Sequence, residues 1–393
     1  MKRFAFSLLA LFSAATVVLG ADKKILLLAG KVSHGPGDHE FRAGSLLLKK
    51  CLDDVPGVRA EVYPNGWPTD ASVFEGADAV LIYADGGAGH PAIQGDRVKL
   101  IDGLAKKGVG LGFAHYGVEV PKGDPGAAMH RWVGGYYEHQ FSVNPMWSPE
   151  FNSFPAHEVT RGVKPFKLVD EWYFNMRWNP SEAGLTRILV AKPSDKVRKG
   201  PYVYPPGPYD HIVAASGRDE TMMWVYERPD GGRGFGFTGG HKHVNWYNDN
   251  FRKVVLNGLL WLAKAPVPAS GVESSLKPED MPQNLDAKNA SATAVNLTGS
   301  WQFEVETPNG KGTPEVKLVH AGQNLIGSYR GRLGEAELTG GVSKEKDVRF
   351  SLTVMREGQP LQVDYTGAID SPNSMKGTVK FGDLGEGTWT AKR

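Results

Sequence analysis

Strand-like apolar segments alternate with helix-like amphipathic segments between residues 23 and 117. The strand-like segments are KKILLLAG (23–30), VRAEVYP (58–64), ADAVLIYADGG (77–87) and GVGLGFAHYG (108–117). Apolar residues recur at helical spacing near residues 41–55 and 93–107. A strand that is apolar along its whole length is typical of a parallel sheet covered on both faces. The order therefore predicts an α/β domain with a flavodoxin-like parallel sheet and helices on both faces.

The domain continues well beyond these segments. Residues 129–228 are less regular and rich in Trp, Tyr, Pro and Asn, and a hairpin turn is predicted at residues 229–232. The segment FRKVVLNGLLWLAK (251–264) has apolar residues at helical spacing and should form the closing helix. We therefore place the α/β domain at residues 23–264.

The C-terminal third has a different pattern. Residues 265–296 are polar and contain prolines without periodicity, which predicts a linker. Residues 297–393 form about eight short alternating strands with glycine-bearing turns, which predicts an all-β antiparallel barrel or sandwich. This part contains a single histidine, His320. A structural or attachment module is favoured over a second active site.

The N-terminus resembles an export signal. Lys2 and Arg3 precede an apolar run, and Val18 and Gly20 suit a cut after residue 20. The alternative, a membrane anchor, would need about 20 apolar residues, and this run is shorter. We expect residues 1–20 to be a signal peptide. The mature protein would then be periplasmic or secreted, without stable insertion in a membrane.

Charge and cysteine content narrow the partners and the chemistry. The net charge of +2 gives no electrostatic reason to expect a nucleic-acid partner. The one cysteine, Cys51, excludes an internal disulfide and lies in a helical pattern as a packing residue. Composition leaves the oligomeric state open.

Histidines follow three of the predicted strands. His34 follows the first strand, His90 the third and His115 the fourth. Ligands of parallel α/β sheets bind beyond the carboxyl ends of the strands, so these residues are candidate site residues. His115 lies in a turn with the small residues Ala114 and Gly117, where a nucleophile elbow would carry Ser or Cys. A histidine there favours general acid/base catalysis or metal ligation over an acyl-enzyme.

Two carboxylates end a further strand-like segment, LVDEWYF (168–174). Asp170 and Glu171 should point to opposite faces, because side chains alternate along a strand. One of them would then enter a cleft while the other is solvated. Glu171 is the candidate acid or base, and a surface Asp-Glu pair is the alternative.

The segment GRGFGFTGGHKHVNW (232–246) offers three interpretations. On a strand, His241 and His243 would share a face and could bind one metal ion. A catalytic or sugar-binding His241 beside Trp246 is the second interpretation, and a structural loop is the third. No H-E-x-x-H or C-x-x-C motif supports zinc independently.

Several ordered motifs together resemble the ThuA-like (trehalose utilisation) family. They are WVGGYYEHQFSV (132–143), AHEVTRGV (156–163), LVDEWYF (168–174), MMWVYERPDGGRGFGFTGGHKHVNW (222–246) and FRKVVLNGLLWLAK (251–264). The resemblance covers residues 24–264 and implies a fold similar to class I glutamine amidotransferases without their cysteine. The site residues that it implies are His115, His139, His157, Glu171, Tyr173, Arg233 and His241.

The resemblance also implies a function in the catabolism of trehalose and other glycosides, through 3-keto-sugar intermediates. We expect a carbohydrate-active lyase, hydrolase or isomerase without a Ser or Cys nucleophile, in which a divalent metal ion would polarise the carbonyl. His115, Glu171 and His241 are the expected catalytic residues. The expected substrate-binding residues are His34, His90, His139, Tyr173, Arg233 and Trp246. The alternative is a non-catalytic sugar-binding or scaffold protein.

Overall fold

The computed structural model of the protein describes residues 22–288, 295–308, 310–343 and 346–393. The predicted signal peptide, residues 1–20, lies outside the described residues, as does part of the predicted linker. No helix in the described part of the chain is both long and apolar enough to cross a membrane.

The α/β domain contains thirteen strands and six α-helices. The strands are β1 (Lys23–Ala29), β2 (Val58–Tyr63), β3 (Ala77–Tyr83), β4 (Gly110–Ala114), β5 (Gly135–Tyr136), β6 (Met146–Trp147), β7 (Glu150–Phe151), β8 (Phe166–Lys167), β9 (Asp170–Glu171), β10 (Arg177–Trp178), β11 (Leu185–Ala191), β12 (Glu220–Glu227) and β13 (Arg233–Phe237). The helices are α1 (Phe41–Leu52), α2 (Arg97–Lys106), α3 (Asp124–Val133), α4 (Asp195–Arg198), α5 (Asp210–Val213) and α6 (Asp249–Leu262).

Seven of these strands form one mostly parallel sheet in the order β11-β12-β13-β4-β3-β1-β2. The pairs β1–β2, β1–β3, β3–β4 and β4–β13 are parallel, and β12 is antiparallel to both of its neighbours. The β12–β13 hairpin turns where the sequence predicted it. The predicted α/β class is therefore confirmed, with one reversed strand.

Helices cover both faces of the sheet. Along β1, Ile25 and Leu27 pack into the core that contains α1 and α6. Leu26 and Leu28 pack into the opposite core, which contains α2 and α3. Both sets of side chains are almost completely buried. This two-sided burial explains why the strand is apolar at every position rather than at alternate ones.

The sheet brings four loops to one edge. Strands β1, β3, β4 and β13 are neighbours and parallel, so the loops that follow them leave the sheet on the same side. The irregular region between β4 and β11 adds three two-stranded ribbons, β5–β10, β6–β9 and β7–β8. The ribbon β6–β9 carries Asp170 and Glu171. The edge therefore collects residues from distant parts of the sequence.

The C-terminal domain is a closed eight-stranded antiparallel barrel. Its strands are β14 (Gly299–Thr307), β16 (Glu315–Ala321), β17 (Asn324–Gly331), β18 (Gly334–Val342), β19 (Asp347–Arg356), β20 (Gln359–Ser371), β21 (Ser374–Phe381) and β22 (Glu386–Lys392), with the short β15 (Gly310–Gly312) paired to β14. Pairing of β22 with β14 closes the barrel. Its interior is filled by aromatic side chains such as Trp301, Phe303 and Trp389. Of the two predicted architectures, the barrel is therefore confirmed.

Part of the predicted linker packs against the α/β domain. Val267, Val272 and Met281 are buried in the core that contains α6. Apolar residues at irregular spacing can anchor a segment that has no regular secondary structure. Periodicity alone does not detect such anchors.

Candidate functional site

Four buried side chains converge at the carboxyl edge of the sheet. His39, His115, Glu171 and His241 each offer one ligand atom, and these atoms lie within 4.8 Å of one another. His39 Nε2 is 3.0 Å from His115 Nε2 and 3.0 Å from His241 Nδ1. Glu171 Oε2 is 2.6 Å from His241 Nδ1 and 3.6 Å from His115 Nε2. We refer to these four residues as the His/Glu centre.

Unusual backbone conformations aim two of the imidazoles. His39, in the loop after β1, has a φ of 48°, and His115, immediately after β4, has a φ of 52°. Left-handed backbone is uncommon outside glycine, and non-glycine residues that adopt it concentrate at functional sites. The sharp turn after β4 points the imidazole of His115 across the sheet edge, as expected for an elbow.

The loop that carries His241 is held by a buried carboxylate. Asp170 Oδ2 accepts a hydrogen bond from Gly240 N (2.8 Å), and its Oδ1 accepts one from Lys242 N (3.2 Å). Gly240 has a φ of 108°, which suits glycine and strains other residues. A Cβ on Gly239 would lie 2.7 Å from the ring of Trp172. The two glycines therefore permit the tight approach that delivers His241.

Hydrogen bonds at the far ring nitrogens define the tautomers of two histidines. His115 Nδ1 lies 3.0 Å from the carbonyl oxygen of Thr238, which can only accept, so Nδ1 carries the proton. His39 Nδ1 donates in the same way to Asp85 Oδ1 (2.9 Å). In the neutral rings, both Nε2 lone pairs then face each other inside the His/Glu centre. Two lone pairs cannot hydrogen-bond to each other, so this arrangement calls for a cation or a donor between them.

The geometry fits a divalent metal ion. Tetrahedral sites with bonds of about 2.0–2.1 Å have ligand atoms about 3.3 Å apart. The four separations given above, from 2.6 to 3.6 Å, bracket that value. Outer partners are also present, because Asp85 holds His39 and Asn144 Nδ2 donates to Glu171 Oε1 (2.8 Å). A set of three imidazoles and one carboxylate suits zinc or a similar transition-metal ion.

Burial keeps two of the histidines neutral, as metal ligation requires. It lowers the pKa of His115 to about 3 and that of His39 well below its ordinary value. Burial also opposes the charged form of His241, but hydrogen bonds with Asp38 and Glu171 outweigh that and raise its pKa to about 10. Without an ion, His241 is therefore the protonated member of the centre.

Two groups of comparisons bear on these observations. The ThuA family, described as trehalose utilisation, matches residues 66–262, which is half of the chain. The chain belongs to the ThuA family. A ThuA-like protein from Bacteroides uniformis has a solved structure that is 17% identical, with 64% of this chain and 95% of that chain covered and a TM-score of 0.44. No curated protein matches the sequence significantly.

Two designed proteins are each similar to 25% of the chain. A de novo designed fluorescence-activating β-barrel is 17% identical, with 25% of this chain and 94% of that chain covered and a TM-score of 0.22. A redesigned β-barrel bound to DFHBI is 18% identical, with 25% of this chain and 94% of that chain covered and a TM-score of 0.22. The ThuA match ends at residue 262, before the C-terminal barrel begins.

The His/Glu centre of this ThuA protein forms the floor of a pocket of about 520 Å³. Glu171, His39 and His241 line the pocket, and His115 is completely buried behind them. The other lining residues are His34, Gly87, Ala88, Tyr116, Glu119, Val120, Pro121, His139, Asn144, Tyr173, Val203 and Tyr204. A larger cavity of about 800 Å³ lies between the ThuA domain and the barrel, but no histidine or cysteine is among its described lining residues. We therefore assign the candidate site to the smaller pocket.

Six of the residues singled out from the sequence meet at this pocket. They are His34, His115, His139, Glu171, Tyr173 and His241. Tyr173 Oη lies 3.3 Å from His115 Nε2, and the ring of His34 stacks on His39 with centroids 3.5 Å apart. His34, His39 and Asp85 form a second group of potential ligands beside the centre.

Other sequence candidates lie in the protein interior or at the far end of a strand. The His90 ring lies 2.8 Å from Gly117 O and accepts from Ala92 N, so both of its nitrogens have partners in the fold. Arg233 begins β13, at the end opposite the site, where it donates to Trp261 O (2.8 Å). Trp246 is completely buried and packs on Phe251. The structure therefore gives these three residues packing contacts rather than access to the pocket.

The interpretation in which His241 and His243 bind one metal ion depended on a strand that ends earlier. Strand β13 stops at Phe237, and His243 begins a 3₁₀ turn, so alternation along a strand does not apply. His243 is completely buried and belongs to neither group of convergent ligand atoms found among the described residues.

The prediction that one of the two carboxylates is solvated was wrong, because Asp170 and Glu171 are both buried. His157, a further candidate, does not line the pocket; its Nδ1 accepts a hydrogen bond from Val159 N and caps a short turn.

The residues selected from the sequence do not include His39, Asp85 or Glu119. The only sequence signal for all three is position, because each follows a strand or turn at the carboxyl edge of the sheet. Glu119 lies four residues after His115, and its side chain is 13% exposed. Burial, and then the nearby charge of Glu171, raise the pKa of Glu119 to about 7.

Replacing Glu119 with glutamine should make stability less sensitive to alkali. The pKa of Glu119 rises from 4.5 to about 7 on folding, so its contribution favours the fold fully below pH 4.5 and is lost as the pH rises through about 7. At pH 8, with EDTA present, we expect E119Q to unfold with a free energy up to about 3 kcal/mol larger than wild type. At pH 4 the two should be equal. Urea unfolding at both pH values measures this.

The control is Glu158→Gln, since Glu158 is a half-buried glutamate outside the pocket that pairs with Arg161. E158Q should change stability little at either pH. If E119Q and E158Q behaved alike between pH 4 and 8, the raised pKa of Glu119 would be wrong.

Proposed function

We propose that this protein is a metal-assisted enzyme that acts on glycosides or keto-glycosides by acid/base chemistry. The observation that carries the proposal is the convergence of three imidazole nitrogens and the Glu171 carboxylate at the floor of an open pocket. A site with this donor set and no Ser or Cys nucleophile favours proton transfer over a covalent acyl intermediate.

His39, His115, His241 and Glu171 would hold the metal ion. A bound divalent ion polarises a carbonyl or hydroxyl oxygen and stabilises negative charge that develops on it. Asp85, Thr238 and Asn144 orient the ligands through the bonds described above. The remaining pocket residues bind and orient the substrate and move its protons.

Glu119 is the best placed acid/base residue outside the centre. It lines the same pocket, and its pKa of about 7 lets it exchange a proton near neutral pH. In a 3-keto-glycoside, the C–H at C2 is acidified by the neighbouring carbonyl. Removal of that proton by a base, with formation of the C1–C2 double bond, expels the aglycone oxygen from C1. The aglycone oxygen takes a proton from an acid, so the step needs no external oxidant or reductant.

The carbohydrate class rests on the family description and on the polar pocket. The family is described as trehalose utilisation. Tyr116, His139 and Asn144 supply hydroxyl, imidazole and amide groups along the pocket wall, which suit the hydroxyl groups of a sugar. The proposed fold relationship to class I glutamine amidotransferases would place the site where those enzymes carry their nucleophile.

A non-catalytic sugar-binding protein is the second candidate. Tyr204, which is 68% exposed, stands at the pocket rim beside His139 with ring centroids 5.9 Å apart, and it could stack on a sugar. Four other large aromatic residues of this region lie in the cores. Trp132, Tyr136, Trp147 and Trp172 are all at most 8% exposed. Stacking would therefore depend on Tyr116 and Tyr204.

One experiment separates these candidates. The purified protein is analysed for bound metal, and 3-keto-glycosides and their parent glycosides are then offered with and without added zinc, manganese or cobalt. Metal-dependent turnover with preference for the keto form supports the enzyme. Tight binding in calorimetry with no product under any metal condition would reject catalysis and favour the sugar-binding protein.

We also propose export, on the basis of Lys2, Arg3 and the apolar run that follows. Expression with the native N-terminus should yield a mature protein that begins at Ala21 in the periplasm or medium. N-terminal sequencing of the purified protein tests this, and an intact residue 1 in the cytoplasmic fraction would contradict it.

A further inference from the structure

The turn between β16 and β17 of the barrel lies directly against the loop that carries His39. Gln323 N donates to Pro36 O across the domain boundary (2.9 Å). A Cβ on Gly37 would lie 2.5 Å from Ala321 O, and one on Gly322 would lie 2.2 Å from Gly37 N. Both glycines have positive φ, of 88° and 63°. The two backbones therefore meet at a distance that side chains would prevent.

A side-chain relay connects this turn to the His/Glu centre. Asn324 is 7% exposed, and its Nδ2 donates to Asp38 Oδ1 (2.8 Å). Asp38 Oδ2 lies 3.5 Å from His241 Nε2. The opposite ring nitrogen of His241 faces Glu171 and His39. Asn324 thus orients the carboxylate that faces the outer side of a candidate metal ligand.

The segment that connects the domains reinforces the same loop. Lys288 Nζ donates to Gly35 O (3.3 Å) and to Asp38 O, and it lies 3.1 Å from Glu40 Oε1. Asp286 N donates to Glu40 Oε2 (2.7 Å). The loop before α1, which carries His39, therefore receives hydrogen bonds both from the barrel and from the connecting segment.

We propose that the barrel is a structural part of the site and that Asn324 is a positioning residue, which acts on His241 through Asp38. Outer partners of metal ligands fix ring orientation, and their loss lowers metal affinity. The barrel would thus supply a contact that the ThuA domain lacks on its own. This inference rests on the proposed metal centre, but the anchoring of residues 35–40 can be measured without a metal.

The test uses N324A in the full chain. We expect its metal affinity, measured by competition with a chromophoric chelator, to be weaker by roughly 3- to 10-fold, less than the ~10–100-fold typical of a direct outer partner. Amide hydrogen exchange in residues 35–40 should become roughly tenfold faster in the metal-free protein, since a hydrogen bond to a charged group is lost. The matched control is Q323A, which keeps the main-chain bond of the same turn and should match wild type in both measurements.

A double variant separates two effects, the anchoring of residues 35–40 and the negative charge of Asp38 beside His241. D38N/N324D reverses donor and acceptor, so it should restore slow exchange in residues 35–40 while metal affinity stays weak. If N324A matched wild type in both exchange and metal affinity, or lost thermal stability alone, the proposal would be overturned. A wild-type protein that binds no metal would reject the metal centre, and the exchange measurement would still decide whether Asn324 anchors the loop.

Discussion

Replacing His115 with asparagine should abolish tight binding of divalent metal. The shorter amide can still donate to Thr238 O, so the turn after β4 keeps its bond to the segment after β13. No atom of asparagine reaches the position of His115 Nε2, which lies 3.0 Å from His39 Nε2 at the centre. We expect metal affinity to fall by roughly 100-fold or more, because loss of a ligand exceeds the ~10–100-fold cost of losing an outer partner. Chelator competition and elemental analysis measure the effect.

The control for this prediction is His139→Ala. His139 lines the same pocket, but its side chain is 45% exposed and belongs to neither convergent group among the described residues. H139A should bind metal like wild type. Equal affinity in H115N, H139A and wild type would show that any bound ion lies elsewhere, and the His/Glu centre would lose its assigned role.

Replacing Glu119 with glutamine should lower turnover of a confirmed substrate by about 10²- to 10⁴-fold, the usual contribution of a general acid or base. Glutamine has the same shape as the carboxyl group but cannot exchange a proton. The wild-type profile of kcat against pH should have a limb above the ordinary range of a glutamate, because burial raises the pKa of Glu119. That limb should be absent from the residual activity of E119Q, while metal content stays unchanged.

Rate measurements from pH 5 to 9 test this prediction, with Glu158→Gln as a control outside the pocket. Glu158 is 39% exposed and pairs with Arg161, so E158Q should keep the wild-type rate and profile. If E119Q kept the wild-type kcat, Glu119 would not transfer the proton, and Tyr173 or His34 of the same pocket would have to do so. Loss of metal from E119Q would instead make Glu119 part of the metal environment.

Much of the fold could be predicted because its signals are local. A strand buried on both faces must be apolar at every position, and KKILLLAG meets that condition. Alternating short strands with glycine turns predicted the C-terminal β domain in the same way. His115 and His241 were selected because they follow strands or glycines at the expected edge of the sheet. Such signals depend only on neighbours within a few residues.

Other assignments needed contacts between distant parts of the chain. His39 meets His115 and His241, which are 76 and 202 residues away in sequence. No local pattern distinguishes His39 from His34 or His241 from His243, because the choice depends on which side chain is buried and on where β13 ends. Burial likewise placed Trp246 in the core rather than in the pocket.

The sequence by itself determined the two domain classes and the edge at which a site could form, because hydrophobic periodicity and strand order are written in consecutive residues. Only the tertiary structure decided which side chains share that edge and that Asn324 of the barrel contacts Asp38, 286 residues away. The physical reason is that a coordination sphere is a set of distances between a few atoms, and chain folding rather than sequence spacing sets those distances.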